Sequence, residues 1–181
     1  IGSGVKIKKV KDLENPALIE YLQSRKIDIS IAKVLLKEIY YTANKKHWFG
    51  IGFRNDKGGW EVRSKYFKGG LMTKAITTIK KEPRSQEVTV FEGFIDYLSF
   101  LTEQKKKETK TDAIILNSTS LLDEAIKQII TTGYTKIYTL LDNDPAGNEA
   151  LEKIKVECNN IVDYSHLYQD FKDFNEKLMS K

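Results

Sequence analysis

The chain has 181 residues, with 30 lysines and arginines against 25 acids and a net charge of +5 at neutral pH. At 40% hydrophobic and 30% charged residues, it reads as an ordered globular chain of one domain, or one domain and a smaller neighbour. No apolar run approaches the roughly 20 residues of a membrane helix, no signal peptide is visible, and the single Cys158 excludes an internal disulfide and a multi-cysteine zinc site while fitting a reducing cytoplasm.

The opening Ile1-Gly2-Ser3-Gly4 has no methionine and reads as the start of a trimmed chain or a piece of a longer protein. "NPALIEYLQSRK", Asn15 to Lys26, predicts a short amphipathic helix, with Asn15 as N-cap and Pro16 at the first helical position. A second helix is expected after Ser30, carrying Ile31, Val34 and Leu35 and completed by Glu38. The period then changes. "HWFGIGF" alternates, with Phe49, Ile51 and Phe53 on one face, and "WEVRSKYF" alternates after it. "NDKGG" between them is a strong hairpin turn. This reading puts Arg63 and Lys65 on one face of the second strand, opposite Trp60, Val62 and Tyr66, with Arg54 at the hairpin end of its partner. Residues 1–82 are therefore expected to form a small α+β subdomain with an antiparallel hairpin.

Residues 83–181 follow a different rule. "EVTVFEG", "DAIILN", "KIYTLLD" and "NIVDYS" read as strands. "FIDYLSFLTEQ", "SLLDEAIKQIITT" and "PAGNEALEKIKVE" read as the helices between them, the second ending at Gly133. Four strands alternating with three helices predict an α/β fold with a mostly parallel four-stranded sheet covered by helices. "KKKETKTD", Lys105 to Asp112, reads as a solvated connection.

In open parallel sheets chemistry sits beyond the carboxyl ends of the strands. Glu92 ends the first of these strands and Asp142 the third, while Asp144 lies two residues on, toward the same side. Asp96, Asp170, Asp173 and Glu176 are expected to join them. Carboxylates so close repel unless a cation neutralises them, and all-oxygen ligands select Mg²⁺ or Mn²⁺. Setting these seven acids aside leaves a strongly basic remainder, a distribution suited to a polyanion held over metal ions. Simpler roles stand beside these. Asp144 before Pro145 is a good N-cap, Glu92 before Gly93 could be a turn acid, and Asp96 could be a first-turn acid favoured by the helix dipole.

"VTVFEGFIDYLSFL", "AIILNSTS", "IYTLLDNDPAGNEA" and "FKDFNEKL" occur in the order and spacing of a Toprim domain. Residues 86–180 resemble the kind found in bacterial-type DNA primases, and in particular primase-like proteins of bacterial mobile elements. More weakly, "GFRNDKGGWEVRSKYFKG" resembles the small subdomain that precedes Toprim in primase catalytic cores. The resemblance implies catalytic roles for Glu92 and Asp96, and metal ligation by Glu92, Asp142, Asp144 and Asp173, with Asp170 competing for the last place. Arg54, Arg63, Lys65 and Lys172 would meet nucleic acid or nucleotide. Asn117-Ser118 falls where primases usually have a Gly-Thr pair, and neither a zinc-binding start-site module nor a helicase-binding region is recognised. The activity implied is metal-dependent synthesis of short RNA primers on single-stranded DNA from nucleoside triphosphates, in the cytoplasm, with a replicative helicase or mobilisation proteins as further partners. The same acids would also suit a Toprim nuclease or topoisomerase-like enzyme. A third reading is a non-catalytic nucleic-acid-binding module of a mobile-element complex.

Overall fold

The computed structural model describes residues 4–181, so the opening Ile1-Gly2-Ser3 lies outside it. The chain divides into two compact units, Ile1–Ala75 and Ile76–Lys181.

In the first unit, strand β1 (Lys6–Asp12) precedes helices α1 (Pro16–Ser24) and α2 (Ile29–Leu35). Strands β2 (Lys37–Ala43), β3 (Lys46–Arg54), β4 (Trp60–Ser64) and β5 (Phe67–Leu71) follow. The five strands form one antiparallel sheet in the order β1-β2-β3-β4-β5. Asn15 caps α1, its side chain accepting from Ala17 N at 3.0 Å, and Pro16 takes the first turn, where its missing N–H costs nothing. The helices bury Leu18, Leu22, Ile31 and Ala32. Ile39, Tyr41, Trp60, Val62 and Leu71 cluster on one face of the sheet. In the hairpin turn Asn55 Oδ1 accepts from Lys57 N (3.2 Å) and Gly59 N (2.7 Å), an Asx arrangement that closes β3 onto β4.

Two expectations about this unit are corrected. Glu38 does not complete α2 but lies in β2, fully buried. Its carboxylate accepts from Glu14 N (2.6 Å), Asn15 N and Tyr40 Oη (2.6 Å), and Lys11 Nζ stands 3.3 Å away. Burial opposes its charge, yet these bonds hold its carboxyl below the usual range. β4 ends at Ser64, so Lys65 and Tyr66 form the turn before β5 and do not continue the strand face. No glycine, proline or asparagine marks that turn, and the alternation runs through it unbroken.

In the second unit, strands β6 (Thr77–Ile79), β7 (Glu87–Phe91), β8 (Asp112–Ile115), β9 (Lys136–Leu140) and β10 (Ile161–Asp163) form a sheet in the order β10-β9-β7-β8-β6. β7 to β10 are parallel, and β6 adds an antiparallel edge on β8. The sheet therefore has five strands where four were expected. β6, with three residues, is too short to show an alternation.

Helices α3 (Phe94–Gln104), α4 (Leu122–Thr132), α5 (Pro145–Glu157) and α6 (Phe174–Met179) complete the unit. Val88, Val90, Ile114 and Ile137 pack with Ala125, Ile129, Ala150 and Ile154, so α4 and α5 cover one face. Phe91 points to the other, where Phe91, Phe100, Phe174 and Tyr168 form a chain of edge-on rings with centroids 5.6 Å apart, joining α3 to α6. Covering on both faces is what a mainly parallel sheet requires. Gly133 ends α4 at φ +75°, a left-handed conformation that favours glycine. Among the described residues no helix is long and apolar enough to cross a membrane.

Candidate metal centre

β7 lies between β8 and β9. The segments leaving β7 and β9 therefore open at the same end of the sheet, in the crevice where such sheets bind ligands. Glu92 follows β7 directly and Asp142 lies just past β9. Glu92 N donates to Leu140 O at 3.4 Å, and Asn117 N donates to Glu92 O at 3.0 Å, which ties three strand ends together. Asp142 N donates to Glu92 Oε2 at 3.1 Å. The two acids, fifty residues apart in the chain, meet through this bond.

Asp144 is the N-cap of α5, Oδ1 accepting from Gly147 N at 3.0 Å. Capping does not exhaust it, because Oδ2 lies 3.4 Å from Lys172 Nζ. Gly147 has a further reason to be glycine. A Cβ there would stand 2.0 Å from the Asp142 carbonyl oxygen, so only a bare backbone lets the first turn of α5 rest on Asp142. Gly147→Ala is expected to cost about 1–3 kcal/mol, as overpacking does, measured by urea denaturation. Unchanged stability would mean that the turn relaxes without strain.

The loop after β10 is hung on the end of β9. Asn143 Nδ2 donates to Tyr168 O and to Phe171 O, both at 2.9 Å, and Asn143 N donates to Lys172 O at 2.6 Å. The buried Tyr168 hydroxyl donates to Leu141 O at 2.7 Å. This brings Lys172 over the acids, its ammonium 3.8 Å from Asp142 Oδ2. Asp173 caps α6, Oδ1 accepting from Glu176 N at 2.8 Å, while Glu176 Oε2 accepts from Lys172 N at 2.9 Å. Asp96, buried in the first turn of α3, accepts from Asn175 N at 3.2 Å and so fastens α6 to α3. Asp170 is exposed.

The electrostatics are strained at one point. The Asp142 side chain is only 15% exposed. Burial pushes its carboxyl up to about 7, and the charges of Glu92 and Asp173 add to this; Lys172 opposes it without cancelling it. Asp144 is held below the usual carboxylate range by its bond from Gly147 N and by Lys172. The Lys172 ammonium, 53% exposed, is stabilised by Asp144 and Asp142. Among the described residues no three acidic, histidine or cysteine side chains are already drawn around one point as a bound ion would hold them. The donor set nevertheless fits a hard cation. It consists of carboxylate oxygens, one of them buried among like charges that a cation would neutralise.

Arg54 places its guanidinium over the Trp60 ring, 4.7 Å from the centroid. Arg63 pairs with Ile51 and Lys68 across the sheet, and Lys65 lies in the following turn. Asn143 and Gly147 were not among the expected site residues.

Residues 89–178 match a family described as Toprim-like, and residues 7–72 match a domain of unknown function (DUF8464). Residues 89–178 are a Toprim-like domain. No curated protein sequence matches the chain. Among solved structures, the primase fragment of the bacteriophage T7 primase-helicase protein is similar in fold. That match has a TM-score of 0.62 at 19% identity, over 99% of this chain and 79% of that one. A structure of bacteriophage T7 lagging-strand DNA polymerase interacting with primase domains of two gp4 subunits, bound to an RNA/DNA hybrid and dTTP, is also similar. Its TM-score is 0.52 at 16% identity, over 93% of this chain and 96% of that one. In this Toprim-like domain Asn117 adopts φ +63°. Asparagine tolerates this left-handed region better than other non-glycine side chains do.

Proposed function

We propose that the chain is a primase-type nucleotidyltransferase that joins ribonucleotides into short primers on single-stranded DNA. The observation that carries this reading is the meeting of Glu92 and Asp142, with Asp144, Asp173 and Lys172 around them, at the switch point of a Toprim-like sheet. The likeness of fold to the T7 primase fragment supports it.

Glu92, Asp142, Asp144 and Asp173 would hold Mg²⁺ or Mn²⁺, which when bound supplies Lewis-acid stabilisation of the attacking and leaving oxygens. Glu92 takes the proton from the primer 3′-hydroxyl, its carboxylate oriented by the bond from Asp142 N, as the hydroxyl oxygen bonds to the α-phosphorus of the incoming nucleoside triphosphate and the α–β phosphoanhydride bond breaks to release pyrophosphate. Lys172 pairs with the phosphates of the incoming nucleotide, carrying to the substrate a charge that otherwise stands by Asp144. Asp96 acts through position, because its bond to Asn175 N holds the helix that Asp173 caps. Arg54, Arg63 and Lys65 contact template phosphates. Single-stranded DNA and nucleoside triphosphates are thus the immediate partners, with a replicative helicase or mobilisation proteins beyond them.

The test supplies single-stranded template, ribonucleotides and Mn²⁺. Short template-complementary oligonucleotides are expected. Shortened or nicked template without incorporation would replace this reading with phosphodiester cleavage. DNA binding with neither product would leave a binding module.

A further inference from the structure

The register of the first sheet brings together side chains that the sequence scatters. Lys9 stands opposite Tyr40 and Tyr40 opposite Phe49, across β1, β2 and β3. Directly opposed residues of antiparallel strands share a face. The two rings confirm this, stacked with centroids 5.9 Å apart and planes 24° apart. Lys11 lies on the same face, its ammonium 6.0 Å from the centre of the Tyr40 ring. One step along the strands Thr42 faces His47 and Lys6 faces Thr42. Lys6, Lys9 and His47 are exposed, and so is Phe49, at 43%.

This patch is built to present its rings. The Tyr40 hydroxyl donates to Glu38 at 2.6 Å and accepts from Asn15 Nδ2 at 3.3 Å, which fixes the ring from beneath. Glu38, the acid in these rows, is buried and already bonded, so it presents no charge outward. What faces solvent is the exposed Phe49 ring with the half-buried Tyr40 ring beside it, flanked by the exposed Lys6 and Lys9, while Lys11 stands 3.8 Å from the exposed Glu14 carboxylate. An apolar partner would have to desolvate the lysines, whereas unpaired nucleotides match both features, bases on the rings and phosphates on the ammonium groups.

We infer that this face of the β1-β2-β3 sheet is a stacking platform for the unpaired bases of single-stranded DNA, with Phe49 and Tyr40 under the bases and Lys6 and Lys9 on the phosphates. The inference rests on the nucleic-acid reading above but not on any chemistry at the acidic site. Stacking tolerates every base, so the platform grips the strand without reading its sequence.

The experiment uses the full chain and fluorescence anisotropy with a short thymidine oligonucleotide and an abasic oligonucleotide of equal length. Phe49→Leu keeps an apolar side chain but removes the π face. It should weaken thymidine binding about 5- to 30-fold, leave the salt slope unchanged and leave abasic binding unchanged. Lys9→Gln should lower the slope of log K against log salt by about 0.7 for both oligonucleotides. Phe49→Tyr should bind like wild type, which separates stacking from a folding defect. If Phe49→Leu binds thymidine as wild type does, or loses both oligonucleotides equally while Phe49→Tyr loses them too, the platform does not exist. Absence of primer synthesis alongside these binding results would overturn the enzyme reading alone.

Discussion

Glu92→Gln is expected to reduce nucleotide incorporation by about 10²–10⁴-fold, the contribution of a positioned general base. Glutamine keeps the shape of the side chain and an oxygen that can accept from Asp142 N, so the bond between the two strand ends survives. Negative charge and the ability to take a proton are lost. Affinity for single-stranded DNA should stay within about twofold, since the loss of one carboxylate removes no phosphate contact. Incorporation at the wild-type rate would show that Glu92 neither takes the proton nor contributes to metal binding.

The second large effect is at Asp142. Asp142→Asn should lower Mg²⁺ or Mn²⁺ affinity by at least about 100-fold, beyond the usual cost of losing an outer-shell partner, as read by calorimetry. The same variant should be more stable than wild type in metal-free buffer. The wild-type carboxyl is raised from 3.8 to about 7 in the folded protein, so the native state binds the proton more tightly than the unfolded state. Ionisation therefore costs stability, beginning as pH rises above the unfolded value and complete above about 7. Asparagine never ionises, so its advantage should be absent below pH ~4, grow between ~4 and ~7, and level off above that. Discounted for the solvent that still reaches the site, about 1–2 kcal/mol is expected, or roughly 2–8 °C in melting temperature. A variant equally stable at every pH would mean that Asp142 is not electrostatically strained. A variant that binds metal like wild type would remove Asp142 from the ligand set.

Much of the Toprim-like domain is legible in its sequence because each element there carries a strong local pattern. α5 begins at Pro145 after its cap and ends at Glu157, and four of the strands are short apolar runs between helices of clear period. Local pattern fails where the element is short or its residues ambiguous. β1, "KIKKVKD", is lysine-rich and has three exposed residues in a row at its middle, Lys8, Lys9 and Val10, so its alternation is faint. β6 is three residues long. Glu38 reads as a helical position because its burial depends on bonds from Tyr40 and from backbone twenty-four residues earlier. At the acidic site, strand order alone brings Glu92, Asp142 and Asp144 to one end. The parts that hold them are not legible. Asn143 between two aspartates looks like a spacer, and nothing local says that its amide reaches carbonyls twenty-five and twenty-eight residues on. Gly147 looks like an ordinary helical glycine until the Asp142 carbonyl is seen against it.

The grip of Asn143 on the loop has an evolutionary consequence. It takes hold of the main-chain oxygens of Tyr168 and Phe171, and every amino acid supplies a main-chain oxygen. The exposed Gln169 and Asp170 can therefore drift to other residue types without moving Lys172 or Asp173. The number of residues between the two held carbonyls cannot drift in the same way. Loss or gain of one would put a different carbonyl under the amide and carry the lysine and the aspartate away from the strand end, so lineages of this chain should tolerate substitution in that stretch far more readily than a change in its length.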